Sequence, residues 1–423
     1  MKFPFHLLLC PLLALFAGCA TPQAKAPAAE QAHAPLLLVS IDGYRHDYIE
    51  RGLSPTLSAL ARDGVHAVSM QPSFPSLTFP NHYTIVTGLR PDHHGVVNNT
   101  MSDPALGKFS LGSRNAVSDG RWWAEGKPIW ENADRHGVRT GIMFWPGSEA
   151  EIHGMRPDYW KPFDGAMTPE QRVDQVLAWL DLPADQRPGF LTLYFDGVDH
   201  AGHLHGPDSP EVDQALRDTD AAMARLVDGL KQRKLLDRIN LIVLSDHGMA
   251  SVPLDNSVLI DQLAPIDQVQ TVSMGIVAGF NPKSDSAADR DAFDKVAAAL
   301  EQPHPHMQCM DKSQVPARLA YGSNARVPQL LCIAELHWRI TTSDYVAKRK
   351  SRMSIGEHGY DNIEPDMQAL FVAHGPAFEQ GQTAPAFPNV DVYPLMTHLL
   401  GLPADHNDGD YQAVSGMLKP AAR

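Results

Sequence analysis

Leu36-Leu37-Leu38-Val39-Ser40-Ile41 carries no charge and stops at Asp42-Gly43. A continuous apolar run of this length suits a strand buried on both faces of a parallel sheet. Similar runs return at Thr140 to Phe144, Phe190 to Phe195, Leu241 to Leu244 and Ala369 to Ala373. Helical spacing fills the gaps. Ser54-Pro55 supplies an N-cap and a first-turn proline for a helix that Gly64 closes. Val173, Val176, Leu177 and Leu180 share one face. So do Val212, Leu216, Met223, Leu226 and Leu230, in a helix from Pro210, and a last helix runs from Val392 to Leu400. This alternation predicts an α/β fold, a mostly parallel central sheet with helices on both faces. Over 255–345 it loses regularity, although Thr271 to Ala278 and Gln329 to Glu335 read as strands. A small insertion or subdomain packed on the main sheet is expected there. The 423 residues, 43% hydrophobic, are enough for a sizeable core.

The first residues read as a leader. Lys2 precedes the apolar run Leu7 to Phe16, which suits a signal-peptide core and is too short to span a bilayer. Leu15-Phe16-Ala17-Gly18-Cys19 resembles a bacterial lipobox with Phe where Leu is usual; the alternative is ordinary cleavage with a chance cysteine. On the lipobox reading residues 1–19 are a lipoprotein signal and Cys19 anchors an exported, periplasmic protein. Residues 20–34, rich in Ala, Pro and Gln, are then a flexible linker, and 35–423 form the main domain. Cys309 and Cys332 remain as an even pair in an oxidising compartment, where a disulfide is expected. The net charge of −14 argues against a nucleic-acid-binding surface, which needs clustered Lys and Arg. It leaves room for small phosphate esters, whose charge metal ions can meet.

Polar clusters follow the strands. Asp42 follows the first; Asp199 and His203 follow the strand ending at Phe195; Asp246 and His247 follow Leu241 to Leu244. The ends of parallel strands share one sheet edge, where ligands bind, so the clusters are expected to converge there. His358, in Gly356-Glu357-His358-Gly359-Tyr360, could join them from a loop. Asp199 and His203 are four apart, one helical turn. Aspartate oxygen with histidine nitrogen and no thiolate suits catalytic zinc, and two such ions can clamp the entering and leaving oxygens of a phosphoryl displacement. Singly, each residue has a plainer role: an Asp after a strand is often a turn former or cap. His82, His93, His94, His200, His205, His304 and His306 read as surface residues or supports rather than ligands. Thr78, before Pro80 in a helix expected to run to Thr87, would lie where a helix N-terminus favours an anion. Thr78 as a simple cap, or Ser76 in its place, is the alternative.

The run Ser76 to Leu89, with Thr78-Phe79-Pro80-Asn81-His82, resembles the nucleotide pyrophosphatase/phosphodiesterase family of the alkaline phosphatase superfamily. So do Ile41-Asp42-Gly43, Asp199…Gly202-His203, Ser245-Asp246-His247-Gly248 and His358-Gly359-Tyr360, in family order over 36–400. The resemblance implies an alkaline phosphatase-like fold and two Zn2+. Asp199, His203 and His358 would hold one; Asp42, Asp246 and His247 would hold the other, with the Thr78 oxygen bridging toward it. Thr78 is implied as the nucleophile, giving a phosphothreonine diester that water, activated at the other zinc, then cleaves. Asn99 and the Phe79 amide would donate to a phosphate oxygen, and Phe79 and Phe163 would flank a nucleobase, though both also read as core residues. The family pattern is Asp-x-x-Gly-His, which fits Asp199 with His203 and excludes Asp196 with His200. The somatomedin-like and nuclease-like domains of vertebrate secreted members have no counterpart, so the chain reads as a bacterial, catalytic-domain-only member acting on a small nucleotide or other phosphodiester. Choline- or lysophospholipid-type diesters stay open as substrates, and an inactive binding lipoprotein is disfavoured by the full ligand set. A sulfatase motif (Cys or Ser before Pro-x-Arg) and G-x-S-x-G are both missing.

Overall fold

The computed structural model describes Met1 and residues 33–349 and 352–423. The expected signal peptide, Cys19 and residues 20–32 of the linker lie outside them. In chain order the main elements are β1 (Leu36–Ile41), α1 (Pro55–Asp63), β2 (Val65–Ala67), α2 (Thr78–Thr87), β3 (Thr140–Met143), β4 (Tyr159–Lys161), α3 (Pro169–Leu180), β5 (Phe190–Phe195), α4 (Gly197–His205), α5 (Pro210–Gln232) and β6 (Asn240–Leu244). Then come β7 (Gln270–Ser273), β8 (Val277–Asn281), α6 (Ala287–Leu300), β9 (Met307–Asp311), β10 (Leu330–Ala334), β11 (Phe371–His374), β12 (Gln382–Ala384) and α7 (Val392–Leu399). No described helix is long and apolar enough to cross a membrane.

The central sheet runs β12-β2-β11-β6-β1-β5-β3-β4. From β6 to β4 the strands are parallel. β11 departs from the expected pattern by pairing antiparallel with both β6 and β2. The continuous apolar run of β1 follows from its central position. Leu36 and Leu38 enter one core with Tyr83, Ile85 and Tyr393. Leu37, Val39 and Ile41 enter the other with Val173, Leu216 and Leu226. Period-2 alternation thus supplies both faces with aliphatic side chains, and a charge anywhere in β1 would be buried.

Register aligns the functional edge. Ile41 lies opposite Phe195, and Ser40 opposite Leu244. The residues that follow β1, β5 and β6 therefore emerge side by side.

Residues 270–334 build a separate four-stranded antiparallel sheet, β7-β8-β10-β9. The strand expected over Thr271 to Ala278 is two strands here. Gly275, at φ +113, makes the turn between them in a conformation that L side chains rarely adopt. Helix α6 did not stand out in the sequence. It is capped by Ser286 accepting from the Asp289 N–H and buries Phe293, Val296 and Leu300 in a third core with Phe280 and Cys332.

Cys309 and Cys332 face each other across β9 and β10 and form a disulfide. Closing a loop of 23 residues stabilises by about 3 kcal/mol in the chain-entropy model. Cys309→Ala/Cys332→Ala should therefore unfold at clearly lower urea than the oxidised protein. Coincident midpoints would show that the bridge adds nothing to stability.

Candidate active site

The aligned strand ends deliver the expected residues to one place. Asp42 leaves β1 into a tight turn at Gly43, where φ is +68 and a Cβ would stand 2.9 Å from the Asp199 Cα. Only glycine lets the turn approach α4 this closely. On α4, Asp199 and His203 lie one turn apart, with His203 Nε2 3.5 Å from Asp199 Oδ2. Asp246 and His247 follow β6, and His358 comes from the loop after the short strand Gly356–Glu357. Asp42, Asp246, His247 and His358 are at most 5% exposed.

Each of the three histidines is oriented by a backbone carbonyl. His203 Nδ1 donates to Gly356 O at 2.8 Å, His358 Nδ1 to Ser76 O at 2.9 Å, and His247 Nδ1 to Gly248 O at 2.9 Å. Such bonds fix the tautomer and leave each Nε2 as a ligand, the usual support of a metal-bound histidine. The Nε2 atoms of His358 and His203 face each other at 3.2 Å, and the His247 and His358 rings stack at 3.6 Å. Asp42 Oδ1, Asp199 Oδ1 and Asp246 Oδ2 are buried without a hydrogen-bond partner; Asp246 Oδ2 makes no such bond even to His247 Nε2, 2.9 Å away. Lone pairs that converge with no donor between them are costly unless a cation takes the place of the donor. Asp199, His247 and His358 offer one group of ligand atoms within 4.8 Å of one another, and Asp42, Asp246 and His247 offer a second. His247 belongs to both, while His203, with Nε2 3.5 Å from Asp199 Oδ2, belongs to neither, so the structure matches two of the three ligands expected there, Asp199 and His358, and brings in His247 as the third. These residues fit a pair of cations.

The electrostatics agree. Burial pushes the Asp42 carboxyl well above the ordinary carboxylate range, and repulsion from Asp246 and Asp199 adds to it. Burial would raise Asp246 too, but His247 and His82 beside it hold it well below that range. Burial, with His247 and His203 alongside, drives His358 well below the ordinary histidine value. At Asp42 the buried carboxylates repel one another, and a cation there would relieve that repulsion.

Thr78 is the first residue of α2, and its hydroxyl donates to His247 Nε2 at 3.2 Å. It lies in a cavity of about 530 Å3 together with Asp42, Asp199, His203 and His358. Phe79, Asn99 and Phe163 line the same cavity. Phe79 packs its far side on Phe109 and Trp123, so it belongs to core and pocket at once. Phe163 is 38% exposed and meets Phe144 and Tyr194 edge-on. Asn99 and the Phe79 amide do not present two independent donors: the Phe79 N–H donates to Asn99 Oδ1 at 2.9 Å. That bond occupies the Phe79 N–H and leaves Nδ2 as the donor of the Asn99 side chain. Asp196 borders the cavity outside both ligand groups, and its Oδ1 accepts from buried Arg172 at 2.7 Å.

Sequence reasoning missed several participants. Tyr194 donates to Asp42 Oδ2 at 2.6 Å and also walls the cavity; its only signal was a hydroxyl within an apolar strand. His82, read from the sequence as a surface residue or support, is wholly buried, bonds Ser40 Oγ and lies 3.3 Å from Asp246 Oδ2, so it supports a ligand without joining it. Arg114, at the start of the short helix Arg114–Val117, and Trp145 and Glu149, both on the segment after β3, also reach the cavity.

Comparison with known proteins gives the same answer from outside. Residues 36–361 match the family model described as type I phosphodiesterase/nucleotide pyrophosphatase. An uncharacterized pyrophosphatase/phosphodiesterase of Schizosaccharomyces pombe is 37% identical over 89% of this chain and 79% of its own length. Human ectonucleotide pyrophosphatase/phosphodiesterase family member 1 is 38% identical over 91% of this chain, which spans 42% of that protein. The structure of human ectonucleotide pyrophosphatase/phosphodiesterase 5 superposes with a TM-score of 0.85 at 34% identity, covering 91% of this chain and 100% of that one. The murine protein 5 has also been solved as an inactive threonine-to-alanine variant in complex with AMP, similar at a TM-score of 0.84, 33% identity and the same coverage. The chain belongs to the type I phosphodiesterase/nucleotide pyrophosphatase family, with its alkaline phosphatase-like α/β fold.

Proposed function

We propose that this protein is an exported, zinc-dependent nucleotide phosphodiesterase that cleaves through a covalent intermediate on Thr78. One observation carries the reading: the Thr78 hydroxyl sits at a helix N-terminus against His247, on the floor of a cavity whose side walls are aromatic. Asp199, His203 and His358 would hold one zinc ion, and Asp42, Asp246 and His247 the other. Bound there, the ions would neutralise phosphate charge and make a hydroxyl acidic enough to attack. Thr78 Oγ1 bonds to phosphorus while the opposite P–O bond breaks, and the hydroxyl proton passes through solvent to the departing oxygen, releasing an alcohol or a phosphate. Water then cleaves the Oγ1–P bond and frees a 5′-monophosphate. Asn99 Nδ2 donates to a non-bridging oxygen where charge accumulates. Phe79 and Phe163 flank the base, and stacking that tolerates any base predicts acceptance of several nucleotides.

Support for a nucleotide comes from the relatives' names and from AMP in the murine structure. Export fits the ecto- and venom enzymes among the relatives and the disulfide; anchoring through Cys19 belongs to the same reading. Zinc-loaded enzyme should be assayed side by side on p-nitrophenyl thymidine 5′-monophosphate, a dinucleotide and glycerophosphocholine. Turnover of the first two with 5′-monophosphate products is expected. Turnover of glycerophosphocholine alone would overturn the nucleotide assignment.

A further inference from the structure

Phe163 stands on a stretch whose backbone the sheet does not hold. β4 ends at Lys161, and residues 161–166 are all exposed. Peptide groups there need partners from elsewhere if the ring is to keep one position. Two side chains supply them. Glu149 Oε1 accepts the Phe163 N–H at 2.8 Å, and Arg114 Nη2 donates to Phe163 O at 2.6 Å. The two close on each other, Arg114 Nη1 donating to Glu149 Oε2 at 3.0 Å. Glu149 is itself fixed by Arg156, which donates to its carbonyl at 2.6 Å. Two charge-assisted hydrogen bonds, from a short helix and a separate loop, thus grip both peptide groups of one residue, and a third ties the two grips together. Arg114, Glu149 and Phe163 all border the cavity that holds Thr78.

We infer that Arg114 and Glu149 are positioning residues that clamp Phe163 into the cavity wall and so set the preference for esters bearing a base. This rests on the reading of Phe163 as a stacking wall given above. The bulk of Arg114 is in solvent, its side chain 65% exposed against 11% for Glu149. The clamp is therefore open to salt screening. Ionic strength should loosen the wall without touching the deeply buried ligands beside Thr78.

The readout is a ratio: kcat/KM for p-nitrophenyl thymidine 5′-monophosphate over that for p-nitrophenyl phenylphosphonate, a singly charged ester without a base. Loss of metal or of fold lowers both and cancels. Phe163→Ala should lower the ratio roughly tenfold, through KM for the nucleotide. Arg114→Ala and Glu149→Ala should each lower it about fivefold, with Arg114→Lys recovering part. Raising salt should lower the ratio in the wild type and leave it flat in Arg114→Ala. In the double variant Arg114→Ala/Phe163→Ala the losses should not add, because the clamp acts only through the ring. If Phe163→Ala lowers the ratio and Arg114→Ala and Glu149→Ala do not, the clamp is refuted and the stacking wall stands. Fully additive losses would mean that Arg114 touches substrate itself, which also overturns the inference. A ratio unmoved by Phe163→Ala would remove the stacking wall, and the clamp with it.

Discussion

Thr78→Ala is expected to lose roughly a thousandfold or more in kcat on nucleotide diesters, the scale seen when a nucleophile is removed, while fold and metal content persist. The fold should persist because Thr78 is only partly buried and opens α2 without capping it: Leu77 is the N-cap and no side chain closes that end. Alanine is a better helix former than threonine. The methyl and hydroxyl lost are in the cavity, away from the β-sheet cores. Metal should persist because the cation groups are made by Asp and His side chains that do not depend on Thr78. Thr78→Ser retains a hydroxyl and should keep part of the activity. The informative measurement is a quench of wild-type turnover that traps phosphate esterified to the peptide containing Thr78, set beside the residual rate of Thr78→Ala. Near-wild-type turnover by Thr78→Ala would mean that water attacks phosphorus directly, and the covalent mechanism would be wrong.

The sequence was most legible where one physical constraint dominated. β1 had to be free of charge because it is buried on both faces, and its aspartate then had to follow at the strand end. The spacing of Asp199 and His203 suited one helical turn, and helix α4 carries both. What stayed hidden was whatever depends on segments distant in the chain meeting. Tyr194 reads as one more strand residue until the register sets it beside Asp42. Arg114 and Glu149 are ordinary surface charges until both reach Phe163. In the 270–334 sheet, helix α6 has an Ala-rich stretch and only three buried apolar residues, too thin a stripe to show helical period plainly. The break at Gly275 needed its φ to be known. His247 is the subtlest case: its pairing with Asp246 and Asp42 could be expected, but its second group, with Asp199 and His358, appears only in three dimensions.

That shared position of His247 shapes the second large effect. Purified protein should contain about two zinc ions per chain, and Asp42→Asn or His358→Ala should lower occupancy and activity together. For Asp42 the argument is local. Its Oδ2 is held by Tyr194, while Oδ1 is buried and has no hydrogen-bond partner. Asparagine can keep its carbonyl oxygen on Tyr194, so the side chain should stay in place and change chiefly in charge and in presenting NH2 toward the ligand atoms. Loss of a direct ligand should weaken that ion by at least the roughly 10- to 100-fold typical of lost supporting contacts, and dialysis against a chelator should then strip it first. His358→Ala should do more damage: its Nε2 lies 3.2 Å from that of His203, and it shares a ligand group with Asp199 and His247. Stability supplies a readout independent of turnover. Removing zinc from the wild type leaves three buried carboxylate oxygens without partners, so its melting temperature should fall steeply. Asp42→Asn, with one fewer buried charge to desolvate, should lose less on zinc removal. The order of stability between the two proteins should therefore narrow or reverse when the chelator is added. A wild-type enzyme that is fully active with no metal, or an Asp42→Asn protein with unchanged zinc content and rate, would take the metal pair out of the mechanism.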